Sequence, residues 1–173
     1  MIKMLAVGGV ELLTDNLRLA DENNPNGYYE FERVKKLKDG DIEWVGTALG
    51  KSVKVISALL QSLPADYEYR VIFMQRDIRE VLASQQKMLV SRGELSNQVS
   101  DEQLAQIYQN HLQNVEIWMK EQPNVRVLYV NYNQLLKNHL PELKQVNEFL
   151  DGRLDVEEMA KVVDKNLYRQ RQS

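Results

Sequence analysis

The sequence contains no cysteine. Disulfide frameworks, thiolate zinc sites and cysteine nucleophiles are therefore excluded, although missing thiols do not fix a compartment. With 4 prolines and 8 glycines in 173 residues, collagen-like, mucin-like and low-complexity architectures are excluded as well. Long hydrophobic runs are also lacking. The longest, around Val55 to Leu60, falls far short of the roughly 20 residues a membrane span needs. Nor is there an excess of positive charge: 22 Lys and Arg stand against 25 Asp and Glu, for a formal charge of −3. Such a field repels nucleic acid, and no basic segment is set apart to overcome it. The two histidines, His111 and His139, have no second ligand at metal spacing, so no metal site is expected. The amino terminus carries one basic residue and a brief apolar run, then Glu11. It has no small-residue cleavage pattern, and a cytoplasmic protein is expected.

What is present is an ordinary globular composition, 43% hydrophobic and 27% charged. At this length about 70% of the unfolded surface can be buried without a staple. No repeat and no linker divides the chain, so residues 1–173 read as a single continuous α/β domain. Three runs rich in β-branched and aromatic residues read as parallel strands joined by helical crossovers: Val53 to Ser57, Tyr69 to Met74 and Val125 to Val130. Asp77 with Glu80 has the spacing of a capping box, opening a helix whose apolar residues Ile78, Val81, Leu82, Met88 and Leu89 share a face up to Gly93. Ser100 with Gln103 opens a longer one that stops before Pro123. Asp155 with Glu158 caps another, Glu142 to Leu150 reads as a short helix, and Tyr28 to Leu37 is expected to be helical. Gly8-Gly9 reads as a helix exit, and Asn23-Asn24-Pro25-Asn26-Gly27 as a turn. Trp44, Trp118 and the eight tyrosines read as packing residues, not base-stacking platforms.

The junction Val71-Ile72-Phe73-Met74-Gln75-Arg76-Asp77 runs a hydrophobic strand straight into a capped helix. In a parallel α/β sheet the carboxyl ends of the strands face the ligand crevice, and the free N–H groups of the following helix favour an anion. Arg76 sits there, and Ser84 follows two turns into the helix. A guanidinium fork and a hydroxyl so placed could hold one phosphate from two sides. By itself the spacing is equally that of a salt-bridged strand-end arginine and a helix-border serine.

The run Arg76-Asp77-Ile78-Arg79-Glu80-Val81-Leu82-Ala83-Ser84 resembles the 3′-phosphate-binding segment of sulfotransferases that use 3′-phosphoadenosine 5′-phosphosulfate (PAPS). The resemblance covers most of the chain. Gly8 to Asp15, Asn24-Pro25-Asn26-Gly27-Tyr28-Tyr29-Glu30, Lys54-Val55-Ile56, the third run with Tyr132, Phe149-Leu150 and Leu167-Tyr168-Arg169-Gln170-Arg171 resemble bacterial members of that group in the same order. It implies a P-loop-NTPase-like three-layer fold, a parallel sheet flanked by helices, and transfer of a sulfuryl group from PAPS to a hydroxyl or amine acceptor without a metal. It further implies that Arg76 and Ser84 bind the 3′-phosphate, that Glu30 is the base with Glu32 as its neighbour, that Lys54 helps hold the sulfuryl group, and that Arg169 and Arg171 reach the nucleotide.

The family's opening strand and Pro-Arg-Ser-Gly-Thr-Ser-type loop have no counterpart here. The sequence starts in what should be the helix after that loop. The resemblance then implies an N-terminally incomplete domain that lacks the central strand and retains the 3′-phosphate half-site. The flanking strands would be left nearly 10 Å apart, twice the usual strand spacing of about 4.8 Å, or would rearrange. Exposed strand edges make a homo-oligomer an expectation. Two alternatives stand beside the sulfotransferase reading: a non-catalytic nucleotide-binding or assembly module of the same fold, and a nucleotide kinase-like α/β enzyme.

Overall fold

The computed structural model describes residues 1–18, 20, 21, 24, 27–91 and 100–163, with side chains 87–91 excepted. Its centre is a parallel pair of strands, β1 (Tyr69–Gln75) and β2 (Val125–Asn131), joined in register from Tyr69 opposite Val125 to Gln75 opposite Asn131. Around them lie α1 (Ile2–Val7), α2 (Ile78–Ser91), α3 (Asp101–Glu121), α4 (Tyr132–Lys137), α5 (His139–Phe149) and α6 (Val156–Lys161). Three 3₁₀ segments, Glu32–Asp39, Glu43–Ala48 and Ser57–Ser62, occupy the stretch before β1.

The period-2 alternation of the strands sorts their side chains onto two covered faces. Ile72, Met74, Leu128 and Val130 pack into a cluster with Met4 and Leu5 of α1, Leu143 and Val146 of α5 and Met159 of α6. Val71, Phe73, Val127 and Tyr129 point the other way, against Val115 and Met119 of α3 and Leu60. Helices thus cover both faces of the sheet, which among the described residues has two strands. A third cluster, centred on Trp44 with Val34, Leu37, Val45 and Leu59, gathers the 3₁₀ segments.

Local chemistry accounts for most helix boundaries. Ser100 and Gln103 form the reciprocal capping box of α3: the Gln103 N–H donates to Ser100 Oγ and the Ser100 N–H to Gln103 Oε1. The Glu158 N–H donates to Asp155 Oδ1 at the start of α6. Gly8 ends α1, and Gly9 turns the chain away at a φ of 104° that an L-residue resists. A Cβ on Gly8 would lie 2.8 Å from Met159 Cγ, so this glycine also lets α1 seat against α6.

The structure departs from the sequence reading at three places and decides between two readings at a fourth. Val53 to Ser57 is not a strand: Leu12 and Ser52 make an isolated parallel bridge, and the chain passes into a 3₁₀ segment at Ser57. Tyr28 to Phe31 is irregular, with Tyr29 at a φ of 51° and Phe31 extended, and helical geometry starts only at Glu32, as 3₁₀. The β1 and β2 strands do not stand nearly 10 Å apart, the first of the two alternatives expected for them, but hydrogen-bond directly along all seven residues, as the rearranged alternative has it. Finally, Asp77 caps α2 by accepting from the Arg79 N–H, while the Glu80 side chain turns inward. The turn at Asn24 is visible in the Gly27 N–H to Asn24 carbonyl bond, whereas Asn23, Pro25 and Asn26 lie outside the described residues. Gly93 lies outside them too.

Candidate functional site

Two charged clusters contain the residues singled out in the sequence. The first is built where β1 hands over to α2 and β2 to α4, at the carboxyl ends of the two parallel strands. Arg76 Nε donates to Glu80 Oε2 at 3.0 Å, and its guanidinium carbon stands 4.9 Å above the Tyr132 ring. Glu80 is the only buried charged side chain among the described residues, at 4% exposure. Its other oxygen, Oε1, accepts from Asn133 Nδ2 at 3.3 Å. Asn133 Oδ1 is itself buried without a hydrogen bond, a state that costs about 1–3 kcal/mol. The arginine is thus gripped at Nε and under its face, and its two terminal nitrogens make no hydrogen bond among the described residues. Its side chain is 25% exposed.

Ser84 lies two turns along α2, exposed, on the i, i+4, i+8 line that starts at Arg76 and passes through Glu80. Arg76 and Ser84 do not bond each other. A donor fork at a strand end and an exposed hydroxyl on the following helix suit a phosphate. The Glu80 carboxylate beside them is paired with Arg76.

The second cluster is centred on Glu30. Thr14 Oγ1 and the Asp15 N–H both donate to the Glu30 carbonyl, at 2.9 and 3.3 Å, and fix its backbone. Its carboxylate Oε1 lies 3.3 Å from both Lys54 Nζ and Arg18 Nη1, and Oε2 lies 3.6 Å from Lys35 Nζ. Lys54 also donates to the Tyr28 carbonyl at 3.1 Å, and the Arg18 guanidinium stacks 3.4 Å from the centre of the Tyr28 ring. Burial pushes the Glu30 carboxyl up, but Lys54, Arg18 and Lys35 together outweigh it and hold the group below its ordinary range. Glu30 is therefore a carboxylate at neutral pH. Glu32 pairs at 2.6 Å with Lys35, the lysine it shares with Glu30.

Glu30 and Lys54, chosen separately from the sequence, are thus brought into contact, although Lys54 lies on an irregular extended segment and not in a strand. Arg169 and Arg171 lie outside the described residues. Sequence reasoning missed Glu80 as a partner of Arg76, since it was read as half of a capping box, although i, i+4 spacing also announces an ion pair. It missed Tyr132 and Tyr28 as cation-π faces. Nothing in the local pattern announces Arg18, whose partner is twelve residues away on a non-helical segment. His111 Nε2 lies 2.8 Å from Ser57 Oγ, and no group of three or more potential metal ligands occurs among the described residues.

A family model described as the sulfotransferase domain matches residues 51–172. The match spans more than half of the chain, which belongs to the sulfotransferase domain family. Comparison with curated proteins and with solved structures returns no significant match. Sulfotransferase-family function, with a sulfuryl donor and an acceptor, follows from that membership. Among the described residues no helix is long and apolar enough to cross a membrane.

Proposed function

We propose that residues 1–173 act as one sulfotransferase-like unit that takes PAPS as its donor and grips the 3′-phosphate with Arg76 and Ser84. The observation that carries this reading is the state of Arg76: fixed at the carboxyl end of β1 by Glu80 and Tyr132, with its terminal N–H groups uncommitted. When bound, the donor supplies an electrophilic sulfur and a phosphate leaving group. An acceptor hydroxyl or amine would attack that sulfur as the sulfur–oxygen bond to phosphate breaks, and its proton would pass to a base. Glu30 is the carboxylate assigned to that proton, on its contact with Lys54; its three cationic neighbours keep it ionised and lower its basicity. Lys54, 39% exposed beside it, is the cation that would steady the sulfuryl oxygens. The grip on the 5′-phosphosulfate is assigned to none of these residues. Arg169 and Arg171 are kept as further contacts to the nucleotide.

The reading is tested by calorimetric titration with 3′-phosphoadenosine 5′-phosphate, beside Arg76→Ala. Hydrogen bonds to charged groups contribute about 1.5–3 kcal/mol each, so the variant should bind at least about tenfold more weakly while melting like the wild type. No binding to the folded wild-type chain, or equal binding by both, overturns the donor assignment. A non-catalytic module of the same fold would bind the nucleotide but transfer no sulfuryl group, which a transfer assay with labelled donor and a panel of hydroxyl and amine acceptors separates.

A further inference from the structure

An arginine beside a buried carboxylate ordinarily closes on it with two parallel N–H···O bonds, using Nε and a terminal nitrogen against both oxygens. Here the pairing has one bond. Glu80 Oε2 takes Arg76 Nε at 3.0 Å, while Oε1 is occupied by Asn133 Nδ2 at 3.3 Å. Asn133 comes from a different strand end, just past β2, and follows directly on Tyr132, whose ring supports the same guanidinium. Asn133 is held with Nδ2 on Glu80 even though its own Oδ1 is left buried without a hydrogen bond. The carboxylate dictates that orientation, since only Nδ2 can donate to it, and the bond falls on the oxygen that a second arginine nitrogen would otherwise take.

We infer that Glu80 and Asn133 are positioning residues for phosphate recognition: Glu80 anchors Arg76 through Nε alone, and Asn133 occupies the second oxygen so that both terminal nitrogens stay available for the 3′-phosphate. The inference rests on the donor reading above. It differs from the opposite role, in which a buried carboxylate competes with phosphate for the arginine and holds the site shut. In the positioning role, removing either residue weakens phosphate binding without removing any contact to the ligand. In the blocking role, removing Glu80 tightens it.

The test is titration of wild type, Glu80→Ala, Glu80→Gln and Asn133→Ala with 3′-phosphoadenosine 5′-phosphate, and by competition with adenosine 5′-phosphate, which lacks the 3′ group. Glu80→Ala and Asn133→Ala are expected to lose about tenfold in affinity for the bisphosphate, with a smaller loss for the monophosphate. Glu80→Gln, whose amide oxygen can still accept from Arg76 Nε, should recover part of that affinity. If Glu80→Ala does not fold, Glu80→Gln and Asn133→Ala carry the comparison. Equal losses for both nucleotides would mean a general packing defect and overturn the inference, as would unchanged or tighter bisphosphate binding. Failure at this level leaves the Arg76→Ala result standing. A wild type that does not bind the bisphosphate removes the donor reading and this inference together.

Discussion

The Arg76 and Glu30 clusters solve opposite problems with the same kinds of side chain. At Arg76 one cation is held through Nε by one buried carboxylate, whose other oxygen accepts from an amide at a second strand end. At Glu30 one carboxylate is shared by three cations, with a tyrosine ring under one of them. The first arrangement leaves directed hydrogen-bond capacity unspent, as ligand recognition requires. The second spends its cations on Glu30, whose Oε2 still lacks a hydrogen bond, and ties together segments around residues 14–18, 28–35 and 54 that have little regular secondary structure of their own. A charged cluster is therefore informative by what it leaves unpaired, not by how many charges it gathers.

Three further measurements sharpen that contrast. The largest effect is expected from Glu30→Gln. If Glu30 is the base, sulfuryl transfer should fall about a hundredfold or more, the usual range for a positioned general base. As the hub of three ion pairs it should also be destabilising, by about 1–2 kcal/mol, because its side chain is only 18% exposed but its partners are 32–56% exposed and partly screened. Urea denaturation reads the second effect, and a stability loss with transfer intact would make the cluster a latch alone.

An intermediate effect is expected from pH. The Glu30 carboxyl is depressed in the folded state, so its stabilisation is complete above the ordinary carboxylate range and is lost as pH falls through the depressed value. Asp15 adds in the same sense: its carboxylate accepts from the Glu32 N–H at 2.6 Å and is held below its ordinary range chiefly by that bond. Stability should accordingly fall on acidification, and the fall should be shallower in Glu30→Gln. An identical pH profile in the two proteins would remove Glu30 from the account.

The smallest effect is expected from Ser84→Ala. A single neutral hydroxyl contributes about 0.5–1.5 kcal/mol, a loss of roughly two- to tenfold in affinity for the bisphosphate. No loss would leave Arg76 as the sole phosphate contact tested at this junction.

Elements whose signals are local were legible in the amino-acid sequence. The α3 capping box, the Asp155 cap and the two apolar strands each rest on residues within a few positions of one another, and all formed. Val53 to Ser57 has strand-like composition, but a strand needs a neighbour to pair with. Apart from the single bridge at Ser52, none stands beside it among the described residues. The Tyr28 segment failed as a helix because Tyr29 adopts a positive φ and the Glu30 backbone is committed to Thr14 and Asp15, a tertiary override of propensity. Around Arg76, the strand-to-helix junction was legible. The anchor of the arginine was not, because Glu80 reads equally well as a capping residue, and the choice depends on Asn133, more than fifty residues later.

The seat that Gly8 provides for Met159 has a consequence for how the molecule is made. The Asp155 N–H donates to the Gly8 carbonyl, and α1 rests on α6, so the cluster around Val130 and Leu143 is closed by contacts between opposite ends of the described chain. Closing so long a loop costs entropy before any contact rewards it. The β1–β2 pair and α3 can therefore assemble first, with the Arg76 junction between them, while one face of the sheet waits uncovered for α6. During that interval the apolar residues of that face are a target for chaperones and for other unfinished chains.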